Sequence, residues 1–314
     1  MSVTSEDVAK AAGVSRATVS FILNGRGQRF AEATREKVTR IAKEMNYEPS
    51  AAGRALARGS SDIVIAIIPN TTFGGNLQEI YETATDMLEA QGMTLILRLA
   101  TKSNNSLDRL LAGQKPRAVI SLTPFSEAER EILTSHNVAY IEAAEQEDLI
   151  VAIGRLQAKH LLESGFTKIA VVHLEDERGY PFGAGREIGA REVCRETNAP
   201  VPEVFTIPLD LKRADAVLEQ IGVGYGLACY NDDVAITLLN AAKEKGWRIP
   251  KDVGIIGMDN MPLAHVMSPK LTTIGYDNTI VANNTALATL AAIGAEAPAP
   301  FEDIDLFIVP GETT

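Results

Sequence analysis

The sequence predicts two units of different class: a small α-helical helix-turn-helix head, then an α/β body of two doubly wound parallel-sheet lobes. Three observations predict it. The stretch "GVSRATVSFILNG" at residues 13–25 has the form of a turn followed by a short amphipathic helix. From Ile63 onward, short continuous apolar runs alternate with helical segments. The charge is also divided: residues 1–60 hold ten Lys or Arg against six Asp or Glu, net +4, so the chain total of −11 leaves −15 for the rest. A basic cap on an acidic body is expected where one end meets nucleic acid and the other does not.

Bulk composition narrows the classes. A chain of 314 residues suggests two or three units at about 100–200 residues each, and 46% hydrophobic residues can build sizeable cores. No apolar run reaches the roughly 18 residues a membrane helix needs. The N-terminus "MSVTSEDVAK" lacks the basic patch and apolar core of a secretory signal. Cys194 and Cys229 lie outside metal-type spacing and read as reduced thiols. Together these place the chain in the cytoplasm. His136, His160, His173 and His265 are scattered, and Asp232-Asp233 has no His or Cys at ligand spacing. No GxGxxG or phosphate loop follows a strand, and "GYPFGAG" at 179–185 lacks a Lys-Ser/Thr end and reads as a flexible loop. No catalytic constellation, metal site or cofactor is expected, and the chain is not read as an enzyme.

The head, residues 1–48, can be justified element by element. Thr4, followed three residues later by an acid, has capping-box spacing, and Val8, Ala11 and Ala12 lie on one helical face. Gly13 ends that helix in the left-handed C′ position. Ser15 caps the next, whose buried stripe is Val19, Ile22 and Leu23, and Asn24-Gly25 stops it. A third amphipathic helix spans about Ala31 to Met45 with Val38, Ile41, Ala42 and Met45 inward. The exposed side of the second helix carries Arg16, Ala17, Thr18 and Ser20. Small residues let the backbone approach base edges, Arg can bond guanine, and Thr or Ser can bond bases or phosphate.

Residues 49–61 form a linker: Pro49 stops helix three, and the Ala-rich run after it is too short to be a stable isolated helix. In the body, residues 62–314, eight apolar runs read as buried parallel strands: "IVIAIIP", "TLILRL", "AVISL", "VAYIE", "KIAVVHL", "EVFTI", "GLACY" and "VGIIGM". Helical segments include 76–91, 126–136, 151–164, 183–197 and 232–245. Alternation on this scale exceeds one Rossmann-like lobe, so two are expected.

Several of these stretches, in order, resemble one family. "DVAKAAGVSRATVSFILNG", "TREKV" and "NYEPSAAGRALARG" are similar to the DNA-binding head and hinge of the lactose-repressor (LacI/GalR) family. "HLLESGFTKIAVV", "REIGAREV", "YNDDVAI", "IPKDVGIIGMDN" and "SPKLTTI" resemble its C-terminal lobe, and the body resembles periplasmic sugar-binding proteins. The resemblance implies a homodimeric transcriptional repressor on double-stranded, near-palindromic operator DNA. A small polar effector, such as a sugar or nucleoside, would lie between the lobes. The implied DNA-facing set is Thr4, Ser15, Arg16, Ala17, Thr18, Ser20, Phe21 and Asn24. Arg54 and Leu56 join it from a hinge helix, where Leu56 wedges a central base step in the minor groove or is an incidental linker residue. The implied effector set is Arg186, Asp232 and Phe73. Arg186 and Asp232 could instead pair with each other, and Phe73 could be loop packing. Control by a partner protein over a vestigial cleft is the alternative.

Three departures from the family pattern stand out. Phe21 occupies a position that usually holds Arg. It offers an apolar contact, for instance to a thymine methyl, or packs inward. Ala31 replaces a Ser or Thr helix cap, which costs about 1 kcal/mol. "AAEQEDLIVAIGRLQAK" at 143–159 is shorter than its counterpart, so a cleft wall is expected to differ.

Overall fold

The computed structural model describes residues 3–25, 27–48, 59–68, 75–100, 104–142, 147–175, 180–295 and 299–314. Arg54, Leu56 and Phe73 lie outside these residues. The head is three helices: α1 (Ser5–Ala12), α2 (Arg16–Leu23) and α3 (Glu32–Glu44). The Thr4 capping box forms, with the Asp7 backbone N–H donating to Thr4 Oγ1 and Asp7 Oδ2 accepting from the Thr4 N–H. Gly13 takes φ 67° at the end of α1, a left-handed conformation in which a Cβ is strained. Ala31 makes no side-chain cap bond to α3. The head buries its own core of Val8, Ala9, Ala12, Val19, Ile22, Val38, Ile41 and Ala42. Ala11, expected inward, is exposed, because the buried stripe of α1 runs through Ala9 instead.

The first lobe is β1 (Ile63–Ile68), α4 (Gly75–Ala90), β2 (Thr94–Leu99), α5 (Asn104–Gln114), β3 (Ala118–Ser121), α6 (Glu127–Ser135) and β4 (Ala139–Glu142). Its four strands are parallel in the order β2-β1-β3-β4. Strand side chains alternate between faces. Val64, Ala66 and Ile68 therefore pack with Tyr81 and Leu88 of α4, while Ile67 and Val119 meet Leu107, Leu111 and Leu133 on the other face. Both faces of β1 and β3 are covered, which is why they read as continuous apolar runs, while the edge strand β2 is largely exposed.

The second lobe begins with α7 (Glu147–Glu163), β5 (Lys168–Leu174), α8 (Tyr180–Glu196), β6 (Glu203–Ile207), α9 (Leu211–Ile221), β7 (Tyr225–Cys229), α10 (Asp232–Glu244), β8 (Val253–Ile256) and α11 (Pro262–Val266). Its parallel order, β6-β5-β7-β8, repeats that of the first lobe. After β9 (Thr273–Gly275) the chain crosses over. Helix α12 (Asn278–Ala292) contributes Ala286 and Leu290 to the first lobe's core, and β10 (Phe307–Val309) returns to pair antiparallel with β9.

All eight expected strands are present. Helix α7 starts at Glu147, so most of the shortened 143–159 stretch is helix rather than loop. Residues 180–185 of "GYPFGAG", read as a flexible loop, are the first turns of α8. Other glycines of α7 and α8 have a packing reason. A Cβ on Gly154 of α7 would overlap the Arg186 carbonyl, and one on Gly189 of α8 would overlap the Val151 carbonyl. The two helices thus approach backbone to backbone.

Candidate functional site

Helix α2 offers one candidate surface. Val19 and Ile22 are buried. Ala17 and Phe21, four residues apart, share the opposite face. Arg16 is exposed and its Nε donates to Ser5 Oγ at 3.0 Å. The Ser15 hydroxyl accepts from the Thr18 N–H at 3.1 Å and lies 2.9 Å from Thr18 Oγ1, so it serves first as a helix cap. Thr4 is occupied likewise, its Oγ1 donating to Asp7 Oδ2 at 2.7 Å, and this bond holds the Asp7 carboxyl below its ordinary value. Ser20 accepts from Asn24 Nδ2 at 3.2 Å. Phe21 is half-buried and not part of the head's buried core. Its ring lies 6.4 Å from that of Phe30 and is covered by the Arg29 guanidinium at 3.8 Å.

The second candidate is a cavity of about 170 Å³ where the lobes meet. It lies beyond the carboxyl ends of strands, as ligand sites in such sheets do: Leu122 follows β3, Tyr230 and Asn231 follow β7, and Met258 and Asp259 follow β8. The first lobe supplies Asn76, Leu77, Ile80 and Tyr81 from α4. The second adds Ile150 and Ile153 from α7, Phe182 and Arg186 from α8, and Asp233 from α10.

Arg186 is 9% exposed; its Nη1 donates to the Tyr230 carbonyl and its guanidinium stacks 4.8 Å from the Tyr230 ring. Its Nε is buried without a hydrogen-bond partner among the described residues. The same holds for the Tyr81 hydroxyl, whose residue is only 2% exposed. Buried donors left unpaired are costly and call for an explanation. Asp259 is half-buried with φ 107°, and its carbonyl accepts from Asn76 Nδ2 across the lobe boundary at 2.5 Å. Burial pushes its carboxyl up to about 7, against the lowering pull of Arg186, with Asp232 and Asp233 adding to the rise. Burial raises Asp233 too, opposed by its bond from Asn231.

Asp232 is placed differently from its expected role. It is 0% exposed and does not line the cavity. Oδ1 accepts from Thr273 Oγ1 at 2.6 Å and Oδ2 from the Met261 N–H at 2.8 Å. Its backbone N–H donates to the Met258 carbonyl at 2.8 Å. No ion pair joins it to Arg186 among the described residues. It pins the corner on which Asp259 and Asn260 both take positive φ. Burial raises its carboxyl to about 6 even though hydrogen bonding from the Thr273 hydroxyl and from the Met261 and Met258 backbones opposes the rise. The cavity carboxylates are its neighbour Asp233 and the sequence-distant Asp259. Asp259 stood in "GIIGMDN", directly after an apolar strand, and the rule that ligands lie beyond carboxyl ends of strands would have found it. Tyr81 and Asn76 carried no such signal, being ordinary positions on an amphipathic helix.

Among the described residues no three His, Cys, Asp or Glu are grouped to hold a metal ion, and no helix is long and apolar enough to cross a membrane.

Comparison with known proteins gives a consistent result. Residues 4–50 match the bacterial regulatory proteins of the lacI family, and residues 158–314 match the periplasmic binding protein-like domain. An HTH-type transcriptional repressor PurR of Vibrio atlanticus is 30% identical over 301 residues, covering 90% of this chain and 89% of that one. The ribose operon repressor of Halalkalibacterium halodurans is 32% identical over 285 residues, covering 86% and 84%. In fold, the lac repressor dimer bound to operator and the anti-inducer ONPF aligns over 100% of this chain and 99% of its own, with TM-score 0.74 and 21% identity. The transcriptional regulator CelR in complex with cellobiose aligns over 99% and 100%, with TM-score 0.69 and 21% identity.

Proposed function

Because the chain belongs to the lacI family of bacterial regulatory proteins and is a DNA-binding transcriptional repressor, we propose that it works in the cytoplasm as a homodimer. It binds a near-palindromic operator, and a small polar effector in the inter-lobe cavity modulates that binding. The observation that carries the effector reading is the pair of unpartnered buried groups, Arg186 Nε and Tyr81 OH, on one cavity. A vestigial cleft would have no reason to keep them, which favours a small ligand over control by a partner protein.

The cavity chemistry narrows the ligand. Arg186 is the only cation among its described lining residues, facing the carboxylates of Asp233 and Asp259. An anionic ligand meets net negative charge there, while hydroxyl or amino groups find acceptors. Leu77, Ile80, Ile153 and Phe182 suit an apolar ring face. An apolar cavity of about 150 Å³ holds benzene, so about 170 Å³ is room for one ring.

Dimerisation is supported by the outer strands of the two sheets. On β2, Ile96, Leu97 and Leu99 are exposed, Leu99 by 61%; beside β6, Val201, Leu209 and Leu211 are exposed, Val201 by 71%. Apolar side chains on two sheet edges are a liability in a monomer and natural in a subunit interface. A two-fold dimer presents two heads, and a two-fold protein fits a palindromic site.

The test combines operator binding with calorimetry against single-ring metabolites. Arg186→Ala is expected to abolish the effector's influence on operator binding while operator affinity without effector stays within about threefold of wild type. An unchanged effector response in Arg186→Ala would remove the cavity from the reading.

A further inference from the structure

The DNA-facing side of α2 is short of cations. Arg16 is the helix's only one, and its Nε is already engaged by Ser5. One turn beyond Ala17, on the same exposed face, stands the aromatic ring of Phe21. That ring carries a passenger. The guanidinium of Arg29, from the connection between α2 and α3, lies 3.8 Å from its centroid and 5.0 Å from that of Phe30. Arg29 is exposed, and none of its N–H groups has a hydrogen-bond or ion-pair partner among the described residues.

We propose that Arg29, seated on the Phe21 ring, is a base-reading residue of the head and contacts a guanine edge in the major groove. This rests on the reading that α2 enters that groove. A guanidinium stacked on a ring face keeps its donors in its own plane, at the rim. That rim is the fork that pairs with guanine O6 and N7. A long side chain reaching in from a loop would otherwise lose much rotamer freedom on binding; contact with two rings holds it in place beforehand. Phe21 is then a positioning residue, and the pair Phe21–Arg29 does from two elements what one helix-borne arginine would do from one.

The experiment uses the full chain and a pool of random duplex DNA. Wild type is expected to select a symmetric motif with guanine at one position of each half-site. Arg29→Ala should lose that preference, with operator affinity down about 5- to 150-fold per contact and random-DNA affinity down by only a few-fold. Arg29→Lys keeps the charge without the planar fork, so it should relax the same position and leave random-DNA affinity unchanged. Phe21→Leu removes the seat and should relax that position too, and adding Arg29→Ala to it should cost no more than Arg29→Ala alone. An unchanged motif in Arg29→Ala overturns the proposal. So does an equal loss on operator and random DNA with a shallower salt dependence, which marks a phosphate contact. A preference that survives Phe21→Leu overturns the seat. If wild type selects no motif, and Arg16→Ala changes nothing, the placement of α2 in the groove falls along with it.

Discussion

The two lobes share one topology and differ in chemistry where they meet. Each is a four-stranded parallel sheet with the same strand order. Yet the first lobe gives the cavity Leu77, Ile80 and Leu122, with Asn76 and Tyr81 as polar groups, while Arg186, Asp233 and Asp259 all come from the second. The difference teaches a division of labour. Charges gathered in one lobe can be fixed against each other before any ligand arrives: Arg186 by the close α7–α8 contact, Asp259 by the corner that Asp232 pins. The apolar lobe has only to close on what they hold. Affinity should therefore reside mainly in the second lobe, and response in the first.

The comparison can be broken most forcefully at the α7–α8 contact. In Gly154→Val the side chain meets the Arg186 backbone, which cannot move like a flexible side chain. The second lobe is expected to lose about 3 kcal/mol or more, lowering the melting temperature by about 10 °C. Gly113 in α5 of the first lobe has open space around it, so Gly113→Ala should be neutral or stabilising by up to about 1 kcal/mol. Equal melting of the two variants would show that α7 and α8 are not locked.

Next in size is a pH effect centred on Asp259, which faces Arg186 from α8, Asp232 and Asp233 from α10, and Tyr276 after β9. Its carboxyl sits at about 7 in the folded chain, against an ordinary value of 3.8. Between these values the folded state keeps a proton that the unfolded chain releases. Stability should thus fall as pH rises from about 4 to about 7, by on the order of a few kcal/mol, and Asp259→Asn should flatten much of that slope. Effector affinity should run the opposite way. A ligand that donates to the ionised carboxylate binds more tightly at pH 8 than at pH 6. Calorimetry at the two pH values decides the sign.

Tyr81→Phe sharpens the division within the first lobe. The variant loses a buried hydroxyl that has no partner, so it should melt at or above the wild-type temperature, by a gain of up to about 1 kcal/mol. Effector affinity should drop about fivefold at the same time. A loss of stability would mean that the hydroxyl serves the fold. The smallest effect belongs to Asn76→Ala, which removes the bond from α4 to the Asp259 carbonyl. Effector affinity should stay within about threefold. The change in operator affinity that the effector produces should shrink by about 1 kcal/mol, because that bond carries closure from one lobe to the other.

Much of this was readable along the chain. The head followed from Thr4, Gly13 and Ser15, whose capping and turn chemistry is local. The eight strands followed from their short apolar runs, although the outer strands β2 and β6 are largely exposed. The site was less legible. Arg186 was found, but Asp232 was read as its cavity partner, since both Asp232 and Asp233 follow strand β7 and the sequence does not say which turns inward. In the fold, Asp232 faces Gly257 and Thr273, and a Cβ on Gly257 would strike its carboxylate. Helix α12 carries no clear amphipathic signal, being apolar on most sides, with Val281 and Ala282 packed against α4 and Ala286 and Leu290 in the sheet's core.

By itself, then, the sequence determined the class of each unit, the division of charge between them and the helix-turn-helix in the head. These depend on interactions spanning a few residues: caps, turns, periodicity and the sign of nearby charges. Only the tertiary structure decided which carboxylates share a cavity with Arg186, that Tyr81, its buried hydroxyl unpaired among the described residues, lines the same cavity, and that Arg29 rests on Phe21. Each of those is a meeting of side chains from separate elements. Whether they meet depends on how helices and strand ends are positioned in space, and a one-residue rotation at the start of α10 exchanges a buried pin for a cavity wall.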